Sequence, residues 1–340
     1  MKEKLKKYFG PIYITAASAA VIIWLACNRE FDEIIAALGT LDRRWVFAAG
    51  GCVAMYLALR VAALQYHLRA NGARLSLRQA MAVTGTGQFY SAVTPSASGG
   101  QPMQVYRMRQ YGVPVSLGTS CISVKFIGFQ ASYLLLGLIL ALGHLDLINR
   151  ELYGWRWLIA LGYVLNSLLI AAVLLTVPRT HLADRLMRGA VRLGTKLKLI
   201  RNPEHALSKL HDTVYEYRQA LVQMLQRPKD AAILFALSMA QTICYMMVAV
   251  CMARAFRSDA VWHDVLTLQL QLFVAAAFIP LPGAAGAQES GFCFFFRSVF
   301  PADQLSAAML IWRFFSYYLL LLSGLAMMAL GINRRGGAGD

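Results

Sequence analysis

The sequence predicts an all-α polytopic membrane protein, with about six full spans plus two re-entrant or broken-helix segments in a possible inverted repeat. Three observations predict it. Of 340 residues, 58% are hydrophobic and 15% charged, with a mean hydropathy of +0.51, whereas soluble domains carry about 25% charged residues. Apolar runs recur along the chain, each near the ~20 residues that carry a helix across a hydrocarbon layer about 30 Å thick. Two Pro/Gly-rich segments, residues 94–102 and 280–289, interrupt this pattern, one in each half. Backbone stops being helical at membrane depth only where protein or a water-filled cavity satisfies its amides.

The first apolar run, 11–27, follows Lys2, Lys4, Lys6 and Lys7. No small-x-small cleavage site follows it, so a retained helix is expected rather than a signal peptide. Runs 45–64, 116–143, 155–177, 231–256 and 305–330 supply the further spans, and 265–300 is an apolar region split by the second Pro/Gly segment. All of these form a single integral-membrane domain over 1–340, with repeat-like halves at about 45–145 and 231–330.

Between the halves, residues 178–230 form a basic, amphipathic segment. Leu182, Leu186, Leu193, Leu197 and Ile200 share one helical face, and Leu207, Leu210, Val214, Tyr217, Leu221 and Leu225 form a second stripe after Asn202-Pro203. Apolar residues at this spacing beside basic ones predict two helices lying on the inner leaflet. A docking platform for a soluble cytoplasmic partner is the alternative reading.

Charge orients the chain. The net charge is +16. Residues 65–115 hold five Arg and no acid, and 178–230 hold eleven basic against five acidic residues. Segments 28–44, 144–154 and 254–264 together hold six basic against eight acidic. The positive-inside rule therefore puts both termini and the two basic segments in the cytoplasm of a bacterial cell. The same charge attracts anionic headgroups. No nucleic-acid-binding motif accompanies it, so direct nucleic-acid binding is not expected. The six Cys show no metal or disulfide spacing and read as packing residues. No nucleotide-binding signature is present and no cofactor is expected. Oligomeric state is left open.

With the N-terminus inside, the first Pro/Gly segment is entered from the cytoplasm and the second, three spans later, from outside. Opposite entry is what an inverted repeat requires, and interruptions at corresponding places in two halves point to a substrate site. Around the first segment, Gly85, Gly87, Gly99 and Gly100 permit close backbone approach, Pro95 and Pro102 enforce breaks, and Ser91, Thr94, Ser96, Ser98 and Gln101 offer uncharged polar groups. Pro282, Gly283, Gly286 and Gln288 play the same part in the second. Free amides at the start of a broken helix suit a phosphate or carboxylate. Ionisable residues inside apolar segments are costly and mark function by default; here they are Arg60, Lys125, Glu289 and Arg313. A Glu289–Arg313 ion pair is the structural reading, and cations facing lipid phosphate the functional one.

At these motifs the chain resembles a known family. Gly99–Arg107 (Gly-Gly-Gln-Pro-Met-Gln-Val-Tyr-Arg), the preceding Thr94-Pro95, and residues 282–289 (Pro-Gly-Ala-Ala-Gly-Ala-Gln-Glu) are similar to the membrane region of lysylphosphatidylglycerol synthases/flippases. The resemblance runs from Arg60 through Arg313. It implies movement of aminoacylated phosphatidylglycerol from the inner to the outer leaflet, with Arg107 among the candidate site residues. In full-length members a separate soluble domain transfers lysine from lysyl-tRNA. This sequence ends about ten residues after its last apolar run, so such a domain is not expected in it. It also carries Gln101 where many members carry an acid, which weakens the case for a cationic lysyl headgroup.

The expectation is therefore a flippase- or scramblase-like translocator of an anionic or aminoacylated phospholipid. The two Pro/Gly segments would form opposing halves of a central cavity. Gly99, Gly100 and Gly283 would admit the headgroup, and Arg60, Lys125 and Arg313 would contact phosphate. The alternatives are phosphatidylglycerol lysyltransferase activity and a non-catalytic scaffold.

Overall fold

The computed structural model describes residues 39, 41–94, 97–175, 227–277, 279 and 281–331, with scattered positions between 188 and 226. The predicted first span 11–27 lies outside the described residues, as do Pro95, Ser96 and, apart from Leu207, the stripe residues of the 178–230 segment. The described elements are all helical. They are α1 (Arg43–Ala70), α2 (Leu77–Val93), α3 (Gly100–Gln110), α4 (Val115–Gly143), α5 (Leu145–Glu151), α6 (Arg156–Leu175), α7 (Pro228–Ala255), α8 (Trp262–Ala276), α9 (Ala287–Phe295), α10 (Leu305–Arg313) and α11 (Leu319–Ala329). A π-helical turn, Phe314–Tyr318, joins α10 to α11.

Four helical stretches among the described residues are long and apolar enough to cross a membrane: α1, α4, α7 and the run Leu305–Ala329. Only 33–56% of their most apolar windows is buried within the protein. The rest faces outward, as with Phe47 (79% exposed) and Leu142 (62%), and lipid tails are the solvent that tolerates such surface. This is a membrane protein of several apolar helices.

Hydrogen bonds fix how the helices run. Asp42 N–H donates to Ala255 O (3.1 Å) where α1 starts and α7 ends. At their other ends Tyr66 O–H donates to Asp230 Oδ1 (2.7 Å) and Arg227 Nη1 to Ala70 O (2.7 Å). These two long helices are therefore antiparallel along their whole length, and they define two faces of the molecule, called here the Asp42 face and the Ala70 face.

A pair of short helices follows each. From the Ala70 face, α2 begins at a capping box in which Gln79 N–H donates to Ser76 Oγ and Ser76 N–H to Gln79 Oε1. α3 returns to the same face, where Arg78 Nε donates to Leu330 O (2.6 Å) and Tyr111 O–H to Gly331 O (3.5 Å). From the Asp42 face, α8 descends and α9 returns; Ser258 Oγ donates to Val299 O (2.6 Å) just beyond α9. At 1.5 Å rise per residue, α3 and α9 are only about 17 and 14 Å long, from 11 and 9 residues. Neither crosses a bilayer. Each hairpin turns back at its Pro/Gly segment.

Two departures from the sequence reading have physical causes. α2 was not among the apolar runs, because Thr84, Thr86 and Gln88 dilute its hydropathy; it is nonetheless a helix with Ala80, Ala82, Val83 and Phe89 fully buried. It lies against α11, and a Cβ at Gly85 would come within 2.6 Å of Gly324 O. Small residues of this kind let membrane helices approach closely. The first described span also continues past Leu64 to Ala70, because its polar final turn, Gln65 to Arg69, is anchored to neighbours rather than to lipid. Gln65 Nε2 donates to Leu75 O (3.3 Å).

The faces differ in chemistry. The Ala70 face carries Arg69, Arg74, Arg78, Arg107, Arg109, Arg227 and Lys229 beside Asp230. The Asp42 face carries exposed Trp45, Tyr153, Trp157 and Trp262, the residues that sit at membrane–water boundaries.

Candidate functional site

The two hairpin tips meet against the π turn of the last long helix. Arg313, the final residue of α10, is 6% exposed at its side chain and lies 2.6 Å (Nε) from Glu289 Oε1. That contact is an ion pair without a directed hydrogen bond from Nε; the directed bond runs from Nη2 to Gly283 O (2.7 Å). The guanidinium carbon also sits 4.6 Å from the Tyr317 ring centroid, a cation–π distance. The second carboxylate oxygen of Glu289 accepts the Gly286 N–H at 2.6 Å, closing the first turn of α9. Glu289 thus neutralises Arg313 and caps a helix N-terminus with the same group.

Gly283 and Gly286 are required by conformation, with φ of +60° and +82°, which L side chains resist. Any side chain at 283 would also overlap the Tyr317 ring. Tyr317 in turn donates its O–H to Ala92 O (3.0 Å), a carbonyl freed at the end of α2. The described residues of the two tips therefore touch through Tyr317. Each tip holds an alanine in the left-handed region, Ala97 (φ 54°) and Ala284 (φ 50°), at a cost of about 1–2 kcal/mol apiece. Strain of this sort gathers at functional sites.

The first tip is built from neutral groups. Thr94 Oγ1 donates to Tyr90 O (2.6 Å) and accepts the Gly99 N–H (2.9 Å). Gly100 faces Ser91 Oγ and Gly87 O, and Gly87 faces the Gln104 side chain. These glycines let α3 lie on α2, and protein atoms stand where a side chain at either would go. Gln101 stands in the first turn of α3, and Gln288 is buried (8%) beside Glu289 in α9. Pro282 opens the short turn Pro282–Ala284.

A second cationic pair lies between α1 and α4. Arg60 Nη1 donates to Tyr56 Oη and to Gln88 Oε1, both at 2.7 Å, and Lys125 Nζ donates to Arg60 O (3.0 Å). Among the described residues no carboxylate pairs with either. Tyr56 connects this pair to the tips: its ring is 5.3 Å from that of Tyr245, whose O–H donates to Ser316 O (3.2 Å) within the π turn. Arg107 is elsewhere, on the Ala70 face, bonded through Nη1 to Gln110 Oε1 (3.0 Å) with its guanidinium over Tyr111.

Residues 12–324 match the family described as lysylphosphatidylglycerol synthase TM region. The chain belongs to that family. Among curated relatives, the UPF0104 membrane protein of Archaeoglobus fulgidus is 22% identical over 267 residues, which is 77% of this chain and 77% of its own. Every candidate residue above lies inside the stretch that matches the synthase TM-region family.

Sequence reasoning did not single out Tyr56, Gln88 and Tyr245, which link Arg60 to the π turn, or Tyr317, which touches both hairpins. A signal was present. Tyrosine hydroxyls and a glutamine inside apolar segments must find partners where water is absent.

Proposed function

We propose that this membrane protein moves phospholipid between leaflets, flippase- or scramblase-like, taking an anionic or aminoacylated phospholipid such as lysyl-phosphatidylglycerol. One observation carries the reading: beside a neutralised pair, Glu289–Arg313, the interior holds the cations Arg60 and Lys125, which among the described residues bond to neutral oxygens. An excess of positive charge inside a membrane protein favours an anion such as a phosphate group. The hairpins that flank it enter from opposite faces, the arrangement of an inverted repeat whose halves rock about a central site. Gly283 and Gly286, strained Ala284 and the 26% exposure of Glu289 make the second tip the part able to move and to meet a headgroup. In this reading the basic Ala70 face is the cytoplasmic one, and with the expected first span at 11–27 both termini belong to that side of a bacterial plasma membrane. By the same charge rule the basic 178–230 segment belongs to that side, where it is available to a soluble partner.

The test is a leaflet-accessibility assay in proteoliposomes with labelled phosphatidylglycerol, lysyl-phosphatidylglycerol, phosphatidylcholine and phosphatidylethanolamine. Accelerated movement of the first two is expected. Glu289→Gln is expected to slow it more than it lowers the folded fraction. Wild-type rates in Glu289→Gln and Arg313→Ala together would remove the site, and no acceleration of any lipid would remove the function. Lysyl-lipid made by the purified chain from lysyl-tRNA and phosphatidylglycerol would replace it with a transferase.

A further inference from the structure

A second cluster lies on the Asp42 face, away from the hairpin tips. His144 sits between α4 and α5, while His263 and Asp264 occupy the first turn of α8. One ligand atom from each residue lies within 4.8 Å of those of the other two, and the two imidazole centroids are 4.7 Å apart with the rings 32° from parallel. His144 is far from the other two in the chain, so no local spacing announces the group.

Local contacts prepare these groups as ligands. His144 Nδ1 lies 3.0 Å from Leu140 O. A carbonyl only accepts, so Nδ1 carries the proton and Nε2 keeps its lone pair. Metal-binding histidines are oriented as His144 is, by a carbonyl on the other ring nitrogen. His263 Nδ1 lies 3.2 Å from Asp264 Oδ1, already the spacing of two ligand atoms on one ion, so on binding this ring would hold its proton on Nε2 and present Nδ1 beside the carboxylate. Asp264 retains its second oxygen. The site is partly open, with His263 and Asp264 side chains 39% and 29% exposed, and exposed Trp262 precedes it in sequence at the boundary between lipid and water.

We infer that His144, His263 and Asp264 bind a divalent transition-metal ion, of which Zn²⁺ is the natural occupant. Two imidazoles and a carboxylate suit Zn²⁺, Ni²⁺ or Cu²⁺, and not Mg²⁺ or Ca²⁺, which take oxygen donors. Tetrahedral coordination at about 2.0–2.1 Å sets ligand atoms about 3.3 Å apart. The end of α4 and the start of α8 thus have little distance to close. Water completes the shell. Bound there, the ion ties the end of α4 to the base of the second hairpin.

The experiment uses the full chain, purified without a polyhistidine tag, stripped with EDTA and titrated with Zn²⁺ near pH 7.5 by calorimetry, with metal content counted by mass spectrometry. One equivalent per chain is expected. His144→Ala and His263→Ala are each expected to weaken binding at least about 10-fold, with Asp264→Asn also weakened and His67→Ala, on the opposite face, unchanged. Co²⁺ should give a visible d–d band that the double variant His144→Gln/His263→Gln lacks, and Zn²⁺ should raise the Tm of the wild type but not of that variant. Size exclusion confirms that each variant is folded before titration. Absence of saturable binding by the wild type, or binding retained in the folded double variant, overturns the site. Neither result bears on lipid movement, which is measured separately.

Discussion

The two hairpins have the same plan and different chemistry. α2/α3 and α8/α9 each descend from one face, break at a Pro/Gly segment with an alanine in the left-handed region, and return as a helix too short to span. The tip of the first is held by neutral contacts, Thr94 bridging Tyr90 O and Gly99 N–H and Gly100 on Ser91; further along α2, Gly85 meets Gly324, Arg60 donates to Gln88 and Arg78 to Leu330 O. The second is held by charge, with Glu289 shared between Arg313 and the Gly286 amide. Neutral contacts survive a change of ligand around them. An ion pair inside a membrane protein answers to any other charge that arrives, so the second tip is the responsive one and the first is the frame.

The largest way to break this contrast is Arg313→Ala, which leaves Glu289 without its counter-charge. A loss of about 3 kcal/mol is expected in a detergent-denaturation titration, the low end for a broken buried pair because Glu289 is 26% exposed. Replacing both partners, as in Glu289→Gln/Arg313→Met, should recover much of it. Next, Gly85→Leu forces α2 away from α11 and should cost about 2 kcal/mol by overpacking, read by the same titration; no loss would mean that the first hairpin is not fixed by that crossing. Arg60→Met abandons Gln88 Oε1 and Tyr56 Oη and should cost about 1.5 kcal/mol. Its larger effect is expected on transport per folded molecule, and equal rates would exclude Arg60 from the anion's path. The smallest is Thr94→Val, which removes an N-cap-like acceptor for about 1 kcal/mol. Were Thr94→Val to match Arg313→Ala, the distinction between frame and responsive tip would vanish.

Much of the fold was legible because lipid imposes a simple rule: hydropathy located the four long apolar stretches among the described residues, and the Pro/Gly segments located both hairpin turns. The Glu289–Arg313 pair was legible for the same reason, since two isolated opposite charges in apolar surroundings have to meet. α2 was not, because its polar residues serve helix–helix contacts and its burial comes from α11, which no local window reveals; the Ser76/Gln79 capping box was the available sign. The roles of Gly87 and Gly100 were also hidden, since a glycine that admits Gln104 or Ser91 looks the same in sequence as one that admits a ligand. The tyrosine contacts through residues 56, 245 and 317 join helices far apart in the chain, and spacing cannot show them.

The π turn at Phe314–Tyr318 sets the phase of the last helix. A π turn is an α-helix with one residue inserted, so α10 is rotated by about 100° relative to α11. That offset lets Arg313 reach Gly283 O while Tyr317 reaches Ala92 O. It also leaves Ser316 O as the acceptor for Tyr245. Were the turn to relax into regular helix, α10 would swing its arginine off the second tip without any change in α11. The last helix therefore changes phase at the level of the ion pair, with α11 packed on the frame and α10 packed on the second hairpin.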